Sequence, residues 1–197
     1  MKVNLGPVSL ALSNGSTIAN GDGLSYNPRC LKRDLTDSVN KKYANATSIA
    51  GLILKNKDIW NFEMEMQGWP GSQDIGVHGG GTSSPYTRNF ISILTCETGH
   101  FSMGGDPGRD FFTSPGDPLF FLHHGMIDRA WWIWQSLDLK TRFSEKGISG
   151  TGTFLNAPPS ANTTLDTIID LGYAGGSPQK MADLMSTTDG PMCYIYL

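Results

Sequence analysis

The sequence lacks any long uninterrupted hydrophobic run. No apolar stretch in its 197 residues approaches 18 residues, the length at which a transmembrane helix becomes a candidate. We therefore expect no membrane-spanning helix and no membrane partner. The first residues, Met1–Pro7, carry one basic side chain and no apolar core, so they do not predict a signal peptide.

Charged residues are also scarce. They make up 17% of the chain, and 15 basic against 18 acidic side chains leave a net charge of −3. A nucleic-acid-binding protein usually carries a clustered basic surface, and a coiled coil or a charged tail needs more charge than this. The composition argues against these classes. The hydrophobic content of 39% is enough for the core of one domain.

Histidine and cysteine are few, which limits the metal chemistry available. The histidines are His78, His100, His123 and His124. A mechanism that needs six histidine ligands therefore cannot be complete within this chain. The three cysteines are an odd number, so at least one thiol lies outside any internal disulfide.

Apolar residues at helical spacing predict three helices before residue 68. These helices cover about 31–43, 49–54 and 58–67. Asn45 or Thr47 is suited to cap the second of them. Residues 1–30, rich in Gly, Asn and Ser, predict an extended arm, and the glycine-rich residues 68–116 predict mostly loop.

The clearest helix in the sequence covers 117–139. Asp117 is a good N-cap, and Pro118 suits the first helical position. Apolar residues surround this helix on nearly all sides, which is typical of a central, buried helix. Two short helices and a terminal strand are predicted after it, at about 165–171, 179–185 and 192–197.

Two adjacent histidines lie in this predicted buried helix. For a single buried histidine, a hydrogen-bonded core role is the favoured interpretation. Successive helical residues point about 100° apart, so His123 and His124 are not expected to share a face, and only one of them should bind a given metal. His124 shares a face with Phe120 and Ile127, and Asp128 lies one turn further on, where a carboxylate could orient a ligand.

The stretch Asp117–Trp131 resembles the second copper-site signature of tyrosinases and catechol oxidases. That signature reads Asp-Pro-x-Phe-x-x-His-His-x-x-x-Asp-Arg-x-Trp, and the match is long and specific. Four further segments resemble the secreted fungal branch of this family: Tyr26–Asp34, Gly104–Pro107, Leu171–Gly176 and Tyr194–Tyr196. The resemblance therefore covers nearly the whole chain.

The resemblance implies a mainly α fold, a partial type-3 copper helical bundle with long loops and a short C-terminal β-strand. It also implies a pair of copper ions, each held by three histidines, that use O2 to oxidise small phenolic substrates to o-quinones. The matching ligands in this chain are His78, His100 and His124, with His123 and Asp128 beside them. The chain would hold one copper ion at most.

The sequence departs from the family between two of these ligands. His100 matches the second histidine of a His-x-x-x-His pair, but Cys96 stands four residues before it, and His78 resembles the start of the motif. Deleting residues 82–99 restores the i, i+4 pair, which places both histidines on one helical face. We therefore interpret this 18-residue segment as an insertion, such as a retained intron. The alternative is a genuine loop in which Cys96 replaces a ligand, since thiolates bind Cu(I).

The first copper site of the family is missing, because no histidine precedes His78. This pattern is typical of an N-terminally truncated gene model or a fragment, and we expect no phenol oxidase activity from the chain alone. A non-catalytic mono-copper or metal-free scaffold, or an oxygen carrier of related fold, is the alternative. A zinc hydrolase is disfavoured because the chain has no His-Glu-x-x-His motif.

Other residues have roles that follow from the resemblance or from their chemistry. The resemblance suggests Phe111 or Phe112 as a bulky gate over the copper, and Gly79 favours o-diphenols over monophenols. Cys30 and Cys193 could form a disulfide, which would suit an oxidising compartment. Glycosylation sequons begin at Asn14, Asn45 and Asn162. Together with the resemblance, these features predict a secreted glycoprotein.

Overall fold

The computed structural model describes residues 2–4, 28–67, 98–108, 114–153, 156 and 158–197, and this part of the chain is mainly α-helical. The helices are α1 (Ser38–Tyr43), α2 (Ala46–Lys55), α3 (Ile59–Gln67), α4 (Thr98–Met103), α5 (Leu119–Ser136), α6 (Leu139–Arg142) and α7 (Met181–Leu184). Short 3₁₀ turns lie at Ser114–Gly116, Glu145–Gly147 and Gly172–Ala174. The mainly α fold predicted from the sequence is confirmed.

The strands are short and pair locally. Strand β1 (Lys2–Asn4) runs antiparallel to β2 (Pro28–Cys30), and β3 (Ile168–Ile169) runs antiparallel to β4 (Gln179–Lys180). None of the described helices combines the length and apolar character needed to cross a membrane.

Helices α2 and α3 begin where polar side chains cap their backbones. The Ser48 N–H donates to Asn45 Oδ1 at 3.0 Å, and the Asn61 N–H donates to Asp58 Oδ1 at 2.9 Å. Each carboxylate or amide oxygen satisfies an N–H group that has no partner within its helix. Of the two candidate caps for α2, the structure selects Asn45.

The first predicted helix is only partly present. Helix α1 covers Ser38–Tyr43, whereas residues 32–36 are extended along residues 102–106. The Asp34 N–H donates to the Met103 carbonyl at 3.0 Å, and the Thr36 N–H donates to the Ser102 carbonyl at 2.9 Å. These long-range backbone bonds replace the local bonds of a helix, and a periodicity argument cannot anticipate them.

Two glycines allow this pairing. Gly104 and Gly105 have φ values of +59° and +67°, which disfavour residues with a Cβ atom. A Cβ on Gly105 would lie 2.1 Å from the Lys32 carbonyl oxygen, and one on Gly104 would lie 2.5 Å from that of Asp34. The extended segment can therefore approach the end of α4 only because both residues are glycine.

Several other segments have a different type of secondary structure from the one predicted. Helix α4 lies in the region predicted as loop, residues 165–171 form a turn and β3 rather than a helix, and residues 179–185 contain both β4 and α7. The predicted terminal strand is absent, since residues 192–197 have no regular secondary structure. Short apolar runs fit helical and strand periods equally well, so tertiary contacts decide between them.

The chain divides into two compact units. One comprises Met1–Lys55 and Phe62–Ala130, and the other comprises Asn56–Asn61 and Trp131–Leu197. In the first unit the buried apolar side chains are Leu52, Ile53, Phe62, Met66, Met103 and Ala130. In the second they are Ile59, Trp134 and Met185.

The second unit is organised around Trp134, which is fully buried. Its Nε1–H donates to the Asn56 carbonyl at 2.8 Å, and the Arg142 guanidinium lies 4.0 Å from its ring centroid. Gln135 is also fully buried, and its Nε2 donates to the Met185 carbonyl at 3.0 Å. These bonds satisfy polar groups that would otherwise be costly to bury.

We expect Trp134→Phe to lower the free energy of unfolding by about 1–3 kcal/mol, because it removes the buried donor to Asn56. The matched control is Trp132→Phe on the same helix. The Trp132 ring is only half-buried and contacts Tyr196 at 5.6 Å between centroids. Urea denaturation measures both variants, and equal losses in the two would contradict the prediction.

Helix α5 is not buried on all sides, contrary to the prediction. Ala130 and Trp134 are buried, but Phe121 is 64% exposed, Leu122 72% and Met126 45%. An apolar pattern shows which faces avoid water, but it does not show whether another element covers them. The first turns of α5 therefore present apolar side chains at the surface.

Candidate metal centre

Helices α4 and α5 bring three histidines together in the first unit. His100 lies on α4, and His123 and His124 lie on α5. One ring nitrogen from each lies within 4.8 Å of the other two. The shortest described contact joins the Nε2 atoms of His100 and His124, which are 3.3 Å apart.

His100 is held in one orientation by the backbone. It is 3% exposed, and its Nδ1 lies 2.7 Å from the Gly108 carbonyl oxygen. Because a carbonyl oxygen can only accept, Nδ1 carries the proton and donates it. The lone pair is then on Nε2, which faces His124. A histidine fixed in this way is typical of metal sites.

The two histidines in closest contact are neutral at neutral pH. Burial lowers the pKa of His100, against a smaller opposing effect of the Gly108 carbonyl. Burial, followed by repulsion from His100, lowers the pKa of His124. Neutral imidazole is the form that binds a metal ion, so the site needs no loss of protons before binding.

Aromatic packing orients the rings. Phe120, one turn before His124 on α5, stacks on the His124 ring with centroids 4.0 Å apart and an interplanar angle of 25°. The same Phe120 meets His100 edge-on at 5.7 Å. The phenyl ring thus limits the rotation of two histidines at once.

An ion pair between the buried Asp117 and the partly exposed Arg33 fixes the start of α5. Asp117 is fully buried, and its carboxylate accepts from Arg33 Nη2 at 2.7 Å and from Arg33 Nε at 3.0 Å. Its Oδ1 also accepts from the Leu119 N–H at 2.9 Å, which confirms the predicted cap. Arg33 belongs to the extended segment that bonds to α4, so one carboxylate links the two helices that supply the histidines.

Gly99 is a site residue that the sequence analysis did not identify. A Cβ added there would lie 2.1 Å from Cε1, 2.3 Å from Nδ1 and 2.4 Å from Nε2 of His123. No side chain fits at that distance, so only glycine lets α4 approach the His123 ring. A glycine directly before a candidate ligand was the available signal, but the sequence does not show which ring it faces.

The structure brings together His100 and His124, two of the three ligands that the resemblance implied. It also places His123 in the cluster, because an imidazole side chain is long enough for ring nitrogens to converge from adjacent helical positions. Asp128 lies half-buried on α5, one turn after His124, and does not belong to the cluster. The predictions for His78, Cys96, Phe111 and Phe112 fall outside the described residues.

The predicted disulfide is not formed in the structure. Cys30 and Cys193 are both free thiols, and both are exposed.

A cavity of about 880 Å³ lies beside the cluster and is lined by His123 and mainly apolar side chains. The apolar lining residues include Leu35, Met103, Leu119, Leu122 and Met126. A cavity of this size and character accommodates a small organic molecule such as an aromatic ring.

These residues fit a copper ion. Neutral imidazoles suit copper, and the described cluster contains no carboxylate. The three rings, one buried and two half-buried, form a histidine cluster that could hold a metal ion on a helical scaffold.

A comparison with protein families agrees with this chemistry. The common central domain of tyrosinase matches residues 1–137. Relatives include tyrosinase P of Aspergillus terreus, 34% identical over 98% of this chain and 48% of that protein. Another is N-acetyl-6-hydroxytryptophan oxidase ivoB of Emericella nidulans, 33% identical over 98% of this chain and 49% of that protein. The chain belongs to the tyrosinase family.

A solved structure supports the same assignment. The polyphenol oxidase of Thermothelomyces thermophila (mutant G292N) is similar with a TM-score of 0.79 and 38% identity, over 100% of this chain and 49% of that one. The chain spans about half the length of the relatives it matches.

Proposed function

We propose that this chain is the second-copper half of a tyrosinase-type polyphenol oxidase. The intact parent oxidises phenols or o-diphenols to o-quinones with O2. The observation that carries the proposal is the pair formed by the buried His100 and the half-buried His124, with Nε2 atoms 3.3 Å apart on a scaffold of the tyrosinase family.

In the form without residues 82–99, His78, His100 and His124 would hold the copper ion. Copper, when bound, supplies the redox chemistry with O2 that amino-acid side chains lack. The chain's own residues position the reactants. The Gly108 carbonyl fixes the His100 ring, Phe120 orients His124, and the open, mainly apolar groove beside His123 receives the phenol ring.

Further roles follow from the resemblance. Asp128 would orient the ligand set, and Phe111 or Phe112 would restrict access to it. The parent would be a secreted glycoprotein, as the sequons suggest. The chain alone would hold one copper ion at most and would not oxidise phenols.

Sequencing the full-length transcript tests the proposal first. We expect a message that lacks codons 82–99 and that encodes three further histidines upstream. Its purified product should bind two copper ions and oxidise catechol with O2 uptake. A message that retains these codons in every copy would contradict the insertion, and a full-length product without catechol oxidation would contradict the function.

The purified chain gives the complementary result. It should bind at most one copper ion and show no O2 uptake with catechol. In the variant that lacks residues 82–99, His78→Ala should weaken copper binding at least about tenfold, as expected for the loss of an imidazole contact to the metal. Oxidation of catechol by the chain alone would overturn the proposal.

A further inference from the structure

The three described histidines form a nearly equilateral triangle of rings. The ring centroids are 5.2 Å apart for His100 and His123, 5.5 Å for His100 and His124, and 5.3 Å for His123 and His124. The sequence analysis placed His123 beside the ligands and not among them. Its ring is nevertheless as close to the rings of His100 and His124 as those two rings are to each other.

These distances are those of imidazoles that share one metal ion. With a metal–nitrogen distance of about 2.0–2.1 Å, tetrahedral or trigonal coordination holds imidazole centroids on the order of 5.1–5.5 Å apart. All three observed distances fall in this range. The Nε2 atom of His123 is buried, and so is His100, whereas His123 and His124 as whole residues are half-buried.

We propose that, in the chain that contains residues 82–99, His100, His123 and His124 form one metal site with three imidazole ligands. The site would take a borderline or soft ion, Zn²⁺ or Cu⁺, since all three of its ligands are imidazole nitrogens. This goes beyond the proposed function, in which His78 is the third ligand. The inserted form of the chain therefore has its own ligand set.

Gly99 is the positioning residue for this site. Its missing side chain leaves the space that the His123 ring occupies, because any Cβ would lie within 2.4 Å of both ring nitrogens. A larger residue in place of Gly99 would push the His123 ring away from His100, the residue that follows Gly99 in the sequence. The site thus depends on a residue that makes no bond to the metal.

Nuclear magnetic resonance of the histidine rings tests the proposal without a substitution. The ¹⁵N signals of the unmodified chain are recorded before and after one equivalent of Zn²⁺. We expect His100, His123 and His124 each to show one metal-bound nitrogen. If His123 keeps its metal-free signals while His100 and His124 shift, His123 is not a ligand and the proposal is overturned.

Substitutions provide a second test by Zn²⁺ affinity, measured in competition with a coloured chelator. His123→Ala and Gly99→Ala should each weaken binding at least about tenfold. The matched control is Gly125→Ala, next to His124 on α5, where an added Cβ meets nothing within 4 Å. Affinity that stays within about threefold of the original in His123→Ala would contradict the proposal.

Circular dichroism and the thermal midpoint of the metal-free variants separate loss of the site from loss of folding. If His123→Ala does not fold, His123→Asn retains a polar side chain of similar reach and gives the same comparison. The result is independent of the proposed function. That function is tested by His78 in the shortened chain, whereas this site is tested by His123 in the longer one.

Discussion

Replacing His100 with alanine is expected to lower the affinity of the chain for Zn²⁺ or Cu⁺ by at least about 100-fold. His100 belongs to both proposed ligand sets, since it would pair with His78 in the shortened chain and with His123 in the longer one. Its orientation is also fixed by the 2.7 Å contact of Nδ1 with the Gly108 carbonyl. Chelator competition on both forms of the chain measures the loss.

Gly125→Ala again serves as the control, because it changes α5 beside His124 without adding a contact. The metal-free His100→Ala protein should keep the far-ultraviolet circular dichroism of the original. If its affinity stays within about tenfold of the original in both forms, His100 is not a ligand and the metal lies elsewhere.

Replacing Asp117 with alanine is expected to lower the free energy of unfolding by about 1–3 kcal/mol, because it removes a buried acceptor of hydrogen bonds from a backbone N–H and from a partly exposed guanidinium. Asp117 is fully buried and accepts from both Arg33 and the Leu119 N–H. Its loss leaves a guanidinium without its carboxylate and an uncapped helix. Urea denaturation at neutral pH measures the change.

The matched control is Asp166→Ala, which removes the exposed ion pair with Lys180 at 2.8 Å. An exposed pair contributes little, so the loss there should stay below about 1 kcal/mol. Similar losses at both positions would show that burial of the Asp117 carboxylate does not matter.

The Asp117 carboxylate should also make the free energy of unfolding depend on pH. The hydrogen bonds from Arg33 hold the pKa of Asp117 below its ordinary value. A lowered folded-state pKa gives stability that is complete above the unfolded pKa of about 3.9 and is lost as the pH falls through the folded value. Asp117→Asn should therefore remove part of the acid sensitivity seen in denaturation as the pH falls below about 4. An unchanged acid profile would contradict this.

The sequence predicts those parts of the fold that depend on near neighbours. Asn45, Asp58 and Asp117 each cap a helix within three residues of their own position, so their chemistry is visible in the local sequence. The extended segment at residues 32–36 is held by bonds to residues about 70 positions away. Helical periodicity carries no information about such contacts.

The sequence analysis predicted neither helix α4 nor the membership of His123 in the histidine cluster, and the two reasons are related. Glycine weakens a helix by about 1 kcal/mol relative to alanine, so a segment that contains Gly99 does not predict a helix. Tertiary packing overrides this cost, because Gly99 is where α4 meets the His123 ring. The two histidines of α5 converge only when α4 is that close, and a single helix considered alone cannot reveal it.

The need for glycine directly before His100 also has a consequence for the proposed removal of residues 82–99. Excising residues 82–99 places Gly81 directly before His100. The proposed shortened form would therefore keep a glycine directly before His100, encoded by a different codon. The proposed junction would then fall at a position where the described structure leaves no room for a Cβ atom, and both forms would supply a glycine there.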